Sequence, residues 1–173
     1  MRETPFQTIR EARSREPIRE AFNWFKRQIA KLRNVTPAKL LEDESKLVTR
    51  IRINPKKMYM FRYDPKTKQK LPYYDSFPLI MPIEVYRGGF LGINFHYLPP
   101  KFRKILLEAA KGRISYSRLS RNKYTRPTIK RYLNKHVKSK FLEINEEDWE
   151  TSLYLPVERF VKAKNKTVWS NSI

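Results

Sequence analysis

The stretch FPLIMPIEVYRGGFLGINFHYL, residues 77–98, decides the fold because it predicts two extended segments joined by a tight turn. Apolar and aromatic residues fill both halves, and Gly88-Gly89 is typical of a two-residue β-hairpin loop. Pro78 and Pro82 favour a sheet edge or a bulge, since proline cannot donate a hydrogen bond to a neighbouring strand. Gly92 indicates a bulge or a sharp bend in the return strand.

Upstream of this hairpin, a period of two predicts further strands in LVTRIRI (47–53) and MYMFRY (58–63). A period of 3.6 residues predicts an amphipathic helix before residue 34. Its apolar residues are Phe22, Phe25, Ile29 and Leu32. Thr36-Pro37 predicts the N-cap and first residue of a short helix that ends near Leu41.

Downstream of the hairpin, the sequence favours helices. KFRKILLEAAKG (101–112) predicts a helix closed by its glycine, and Pro127 predicts the start of another. The apolar residues of that second helix recur at a spacing of four, at Ile129, Leu133 and Val137. We therefore expect an α+β fold. Its centre is a small, strongly bent antiparallel β-barrel, SH3-like in size, or an antiparallel sheet, flanked by N- and C-terminal helices.

The same patterns predict four segments along the chain. These are a flexible basic arm (1–17), N-terminal helices (18–46), a central β domain with its closing helix (47–112), and a basic helical extension and tail (113–173). We expect the arm to become ordered only on a partner, because its composition is polar throughout.

Charge is the most informative feature of the composition. The 173 residues include 38 Lys and Arg against 17 Asp and Glu, a formal net charge of +21. A folded domain with this charge repels itself unless a polyanion or an acidic partner screens it, and nucleic acid is the first candidate. Cysteine is absent, which excludes disulfides, cysteine nucleophiles and cysteine-bound metals. No apolar run approaches 18 residues, so we expect no membrane-spanning helix and no membrane partner.

The positive charge is concentrated in one segment. Residues 101–140 hold 14 basic residues and one acidic residue, whereas residues 141–173 carry a net charge of −2. Interleaved cations and tyrosines are suited to phosphates and unpaired bases, so we predict a nucleic-acid contact without base-sequence specificity. The predicted contact residues are Arg113, Tyr116, Arg118, Arg121, Lys123, Tyr124, Arg126, Lys130, Arg131 and Lys135. We expect Tyr132 to pack in the core instead.

Catalytic chemistry has little support in the sequence. Glu146, Glu147, Asp148 and Glu150 are the densest group of acids, but neighbouring side chains diverge on a regular element. We expect Asp75 to cap backbone N–H groups and His96 to be a structural histidine. No nucleotide-binding or protease motif is present. We therefore predict no catalytic residues, no metal site and no cofactor.

The segment LPYYDSFPL (71–79) packs aromatic residues between prolines that hold the backbone extended. A rigid loop of this kind is suited to docking, and exposed tyrosines are enriched at protein interfaces. We predict a partner interface at Tyr73, Tyr74 and Phe77.

Three strings in residues 59–103 carry a resemblance to a known family. YDPK (63–66), LPYYDSFPL and GFLGINFHYLPPKFR (89–103) resemble the DNA end protector, or head-completion, proteins of T-even-like tailed phages. The resemblance implies a non-enzymatic virion protein bound to the terminus of packaged double-stranded DNA, which it shields from host exonuclease after injection. It also implies other head, neck or baseplate proteins as partners, with the protein in the virion and in the host cytoplasm during assembly and after injection.

Two other functions remain open at this point. A purely structural neck or baseplate subunit would direct its positive charge at acidic neighbours. A basic protein of a ribonucleoprotein particle would bind folded RNA rather than duplex DNA.

Overall fold

The computed structural model describes residue 27 and residues 35–42, 47–48, 53–111 and 115–173. The helices are α1 (Pro37–Leu41), α2 (Pro100–Lys111), α3 (Tyr116–Arg121), α4 (Trp149–Tyr154) and α5 (Asn165–Ser172). The strands are β1 (Leu47–Val48), β2 (Met58–Met60), β3 (Tyr74–Asp75), β4 (Leu79–Tyr86), β5 (Gly89–Asn94), β6 (Ile129–Leu133), β7 (Phe141–Ile144) and β8 (Phe160–Val161). The predicted arm and most of the predicted helix before residue 34 lie outside the described residues.

Six strands form one antiparallel sheet in the order β1-β7-β2-β4-β5-β6, and β3 and β8 pair separately. The sheet is open, since β1 and β6 are its two edges within the described chain. The mixed helix-and-sheet class is as predicted. Of the two predicted forms of the β centre, the structure shows the sheet, and the barrel is not confirmed.

The structure confirms the hairpin predicted in residues 77–98, which is formed by β4 and β5. Gly88 lies at its turn with φ of 88°, a conformation that only glycine adopts readily. A Cβ on Gly89 would lie 2.2 Å from the Tyr132 carbonyl oxygen, so this glycine permits the approach of β6. The register shifts between Pro82 and Glu84, which confirms the predicted bulge. Strand β4 lies between β2 and β5, but β2 pairs only with Leu79 and Ile80, so Pro82 also lies in a part of β4 that has β5 as its one partner strand within the described residues.

Both faces of the sheet are buried. One face joins the helices in a core that includes Met58, Met60, Leu79, Leu107 and Leu153. The other face carries an aromatic cluster in which the Phe61 ring lies 4.8 Å from that of Phe141 and 5.4 Å from that of Tyr132. Tyr132 is therefore a core residue, as predicted.

The short helix α1 and the closing helix α2 are confirmed. The Thr36 hydroxyl accepts a hydrogen bond from the Lys39 N–H at 3.3 Å, which is the predicted N-cap. Helix α2 covers nearly all of the predicted segment and buries Leu106 and Leu107 in the core.

The helix predicted after Pro127 is wrong. Residues Arg126–Thr128 form one 3₁₀ turn, and Ile129–Leu133 continue as strand β6, which pairs with β5. A spacing of four residues keeps side chains on one face of a strand as well as of a helix. The apolar pattern therefore did not distinguish a helix from a strand here. Strands β6, β7 and β8 all follow residue 113, and the helical character predicted for 113–173 is corrected accordingly.

A buried carboxylate joins the short β3–β8 pair to the main sheet. Asp75 accepts hydrogen bonds from the backbone N–H groups of Phe77 and Arg159 at 3.0 and 3.3 Å. It also accepts from Asn94 Nδ2 at 3.1 Å and lies 2.8 Å from His96 Nδ1. Burial alone would raise the pKa of Asp75, but the attraction and hydrogen bonds of these partners lower it below its ordinary value. The expected capping role of Asp75 is thus confirmed. His96 contacts Asp75 through Nδ1, as expected of a structural histidine, whereas its buried Nε2 has no hydrogen-bond partner among the described residues.

A buried arginine joins the C-terminal helices to α2. The Arg103 guanidinium donates to the carbonyl oxygens of Leu98 at 2.8 Å and Leu153 at 2.7 Å, and it lies 3.4 Å from a Glu158 oxygen. The Trp169 ring of α5 lies 5.7 Å from the guanidinium carbon. Arg103 thus connects three parts of the chain that are distant in sequence.

We expect Asp75→Asn to lower the free energy of unfolding at pH 7 by about 3–5 kcal/mol. The substitution removes the negative charge that the buried hydrogen-bond donors around Asp75 contact in the wild type. The ionised Asp75 has a lowered pKa, so its contribution is present above about pH 4 and is lost as the pH falls through the folded-state pKa. Urea unfolding at several pH values measures both effects.

Asp64→Asn is the matched control. Asp64 pairs with Lys68 at 3.0 Å on the surface, so its loss should cost less than about 1 kcal/mol. Equal losses in the two variants would contradict the role assigned to Asp75.

Candidate nucleic-acid interface

Residues 115–126 of the predicted contact segment fold around one buried side chain, Leu119. The Ser115 hydroxyl accepts a hydrogen bond from the Arg118 N–H at 3.4 Å and caps α3, while Leu119 is buried in the core. After the helix, Asn122 Oδ1 accepts from the Tyr124 N–H at 2.8 Å, and the Thr125 hydroxyl donates to the Leu119 carbonyl oxygen. The short polar side chains thus hold a compact turn whose longer side chains face solvent.

Tyrosines and cations make up the exposed side of this turn. Tyr116 and Tyr124 are 46% and 49% exposed, which is unusual for residues of this size. The Lys123 ammonium lies 4.8 Å from the centre of the Tyr124 ring. The surface comprises Tyr116, Arg118, Arg121, Lys123, Tyr124 and Arg126, all of them exposed, and we call it the α3 surface. Arg113 lies outside the described residues.

No cation of the α3 surface forms a salt bridge with an acid in the described chain. The salt bridges that involve lysine or arginine there lie elsewhere, in the pairs Lys57–Glu143, Lys68–Asp64, Arg103–Glu158, Lys104–Glu150 and Lys111–Glu108. Five of the described acids are therefore matched to cations outside the α3 surface. The charge of the α3 surface remains available to phosphates.

The structure places the β6 residues of the predicted set, Lys130 and Arg131, on a strand rather than on the α3 surface. Successive side chains alternate across a strand, so Lys130 and Arg131 point to opposite faces. Arg131 Nε donates to the Tyr86 hydroxyl at 2.7 Å, whereas the Lys130 ammonium lies 4.0 Å from the centre of the Tyr97 ring. Burial lowers the pKa of Lys130 to about 8. Lys135 is exposed on the following 3₁₀ turn.

The predicted partner interface is corrected in part. Phe77 is 1% exposed and packs in the core, because it follows the buried Asp75 on a chain that turns inward into β4. Tyr73 and Tyr74 are half-buried. Both line a cleft of about 530 Å³ between residues 63–74 and strand β6, which we call the tyrosine cleft.

Sequence analysis missed residues that contribute to this cleft, notably Lys66 and Tyr97. The strings YDPK and FHYL contain them, but nothing in either string shows that the chain brings the two together. Lys130 was predicted for its charge alone. Its position against an aromatic ring depends on the pairing of β5 with β6, which the sequence did not predict.

The candidate acids occupy separate environments. Glu150 pairs with Lys104 at 2.9 Å, Asp148 is buried, and Glu146 and Glu147 are exposed on a 3₁₀ turn. Within the described residues, no group of three His, Asp or Glu side chains is placed to hold a metal ion.

The fold and this surface define a class: a basic α+β protein whose exposed, unpaired cations and tyrosines suit contact with nucleic-acid phosphates and bases. A family model described as phage T4 terminal DNA protecting protein matches residues 18–172. The chain therefore belongs to this family of bacteriophage proteins that protect DNA ends, which confirms the resemblance seen in residues 59–103. Comparisons with curated proteins and with solved structures gave no match.

We expect simultaneous replacement of Arg118, Arg121 and Lys123 by Ala to weaken binding to all duplexes alike. Each phosphate contact contributes about −0.9 to the slope of log affinity against log salt, so the slope should become shallower by about 2–3. Fluorescence anisotropy with duplexes of unrelated sequence over a range of salt concentrations measures this change.

The control variant replaces three exposed cations outside the α3 surface, Lys56, Lys164 and Lys166. It has the same net charge as the test variant, so a general electrostatic effect should change both slopes equally. Equal slopes in the two variants would place the DNA contact on another surface.

Proposed function

We propose that the protein binds the end of linear double-stranded phage DNA, without reading its base sequence, and protects that end as a bound shield. Membership of the terminal DNA protecting family is the observation that carries this proposal. The unpaired cations of the α3 surface support a contact dominated by phosphates. Phosphate contacts position a protein on DNA but carry no direct sequence information, which supports non-specific binding.

The shield acts by occupancy rather than by catalysis. The buried pair of Asp75 and His96 holds strands together, and its carboxylate already accepts bonds from four donors. Glu150 is engaged with Lys104. These acid–base residues are therefore engaged in contacts that stabilise the fold.

The protein acts in the virion, at the head or neck where the genome end lies, and in the host cytoplasm during assembly and after injection. The family supports action at a phage genome end, and the proposal adds contacts with other virion proteins that complete the head. No helix in the described part of the chain is both long enough and apolar enough to span a bilayer.

We expect the purified protein to slow digestion of a linear duplex by an exonuclease that begins at ends. A duplex of the same length with both ends closed by hairpins provides the binding control. The protein should prefer the open duplex to the closed one in direct competition. A duplex RNA of equal length should compete less well than the DNA.

Different outcomes would support the other functions. Preference for RNA would favour the ribonucleoprotein alternative. Weak binding to all nucleic acids, together with incorporation into particles, would favour a purely structural subunit and contradict end protection.

We also expect no cleavage of DNA in the presence of Mg²⁺ or Mn²⁺, because the acids near Glu147 lie in separate environments and do not converge on one metal position. Incubation of plasmid and linear DNA with each metal, followed by gel electrophoresis, measures this. Cleavage that disappears in Glu147→Ala would show a nuclease site and overturn the proposed shield.

A further inference from the structure

The tyrosine cleft combines aromatic rings with cations. Residues from the range 63–74 form one wall, β6 with its Tyr132 forms the other, and Tyr97 also contributes. The Tyr73 ring lies 6.2 Å from that of Tyr97, so one wall is a continuous aromatic surface. The volume of about 530 Å³ is in the range of small-ligand sites and suits a single nucleotide.

The tyrosines of the cleft fall into two groups. Tyr63 Oη accepts a hydrogen bond from the Leu133 N–H at 3.1 Å, and Tyr132 Oη accepts one from Asn94 at 3.2 Å, so both hydroxyls serve the fold. In contrast, the hydroxyls of Tyr73 and Tyr74 make no hydrogen bond to any described residue. The hydroxyls of these two half-buried tyrosines, which line the cleft, are therefore available to a planar, polar ligand such as a nucleobase.

Lys130 gives the cleft a positive charge that no described acid neutralises. Its ammonium contacts the face of Tyr97 at 4.0 Å and forms no salt bridge within the described residues. Asp75 also lines the cleft, but its two oxygens are occupied by backbone, Asn94 and His96 donors. A desolvated ammonium with only a ring as partner is costly to bury, and a phosphate group would supply the missing charge.

The size of the cleft determines which part of DNA can enter. A base pair inside a duplex is held by pairing and by stacking on both sides, and extracting one of its bases costs a few kcal/mol. A base at a strand end is stacked on one side only, and an overhanging base is not paired at all. A pocket for one nucleotide therefore accepts a strand end far more readily than the interior of a duplex.

We propose that the tyrosine cleft binds the terminal, unpaired nucleotide of a DNA strand, with the base against Tyr73 and Tyr74 and the phosphate at Lys130. This inference rests on the proposed function in DNA end protection. It adds the site that distinguishes an end from the rest of the duplex, while the α3 surface contacts phosphates along the duplex.

The test uses the full chain and two substitutions in the cleft, Lys130→Met and Tyr73→Leu. Both retain most of the side-chain volume, and Lys130→Met removes a buried charge, so we expect its melting temperature to equal or exceed that of the wild type. Lys138→Met is the control, because Lys138 is exposed outside the cleft. Anisotropy compares a duplex carrying a two-nucleotide overhang with the closed hairpin duplex.

We expect each cleft variant to lose about tenfold in affinity for the overhang duplex, the scale of one stacked base or one charged contact. Affinity for the closed duplex should be unchanged in both, and the control should match the wild type on both DNAs. A stable, folded Lys130→Met protein that retains the full preference for the overhang would overturn the inference.

A second measurement separates this inference from the proposed function. Deoxyadenosine monophosphate alone should bind the wild type weakly, at millimolar concentrations, and bind both cleft variants at least several-fold more weakly. If the wild type binds it in this way but does not prefer open to closed duplexes, the cleft proposal stands and end protection fails. If end preference is present but neither the variants nor the mononucleotide reveal the cleft, end protection stands and the cleft proposal is wrong.

Discussion

Two buried charges of opposite sign, the Asp75 carboxylate and the Arg103 guanidinium, determine how the rest of the structure assembles. Both contact His96: its imidazole Nδ1 lies 2.8 Å from Asp75, and its carbonyl oxygen lies 3.5 Å from Arg103 and accepts a hydrogen bond from Trp169 at 2.9 Å. An unpartnered charge in the interior costs several kcal/mol, so each charge requires all its partners together. The two charges lie in β3 and α2, and their partners include Asn94 of β5 and several of the last 25 residues, which makes the fold cooperative across distant parts of the chain.

The same network determines the functional surfaces. Tyr97 follows His96 in the 3₁₀ turn. The contact between Asp75 and His96 therefore helps to position the Tyr97 ring, which the Lys130 ammonium contacts. Five acids of the described chain pair with Arg103 or with lysines outside residues 115–140, and none pairs with a cation of the α3 surface. The cations of the α3 surface consequently keep an uncompensated positive charge. This charge does not stabilise the fold of the free protein, but it is suited to a polyanionic partner.

The sequence allowed prediction of those features that depend on local chemistry. The Gly88-Gly89 turn, the bulge near Pro82 and the cap at Thr36 follow from residue types at fixed positions, and the structure contains all three. The exposed charge and tyrosines of residues 116–126 were also predicted. Strand β6 was not, because a spacing of four fits both a helix and a strand, and pairing with β5 decides between them. The tyrosine cleft depends on that pairing, so it was beyond the reach of sequence patterns.

Protection of an end poses a problem of selection that charge alone does not solve. Phosphates are spaced uniformly along DNA, so the interior of a genome offers a large excess of overlapping binding sites over its two ends. To offset an excess of even about 10⁴ interior sites per end in free solution would require about 5.5 kcal/mol, since each tenfold preference needs about 1.4 kcal/mol. One stacked base supplies about 1–3 kcal/mol, so a single-nucleotide cleft falls short of this by itself. The proposed position in the virion supplies the remainder, because a protein held beside the genome terminus meets that end at a high effective concentration. Within the proposed function, the α3 surface provides affinity, the cleft recognises the strand end, and assembly into the particle restricts the choice to the end that has to be protected.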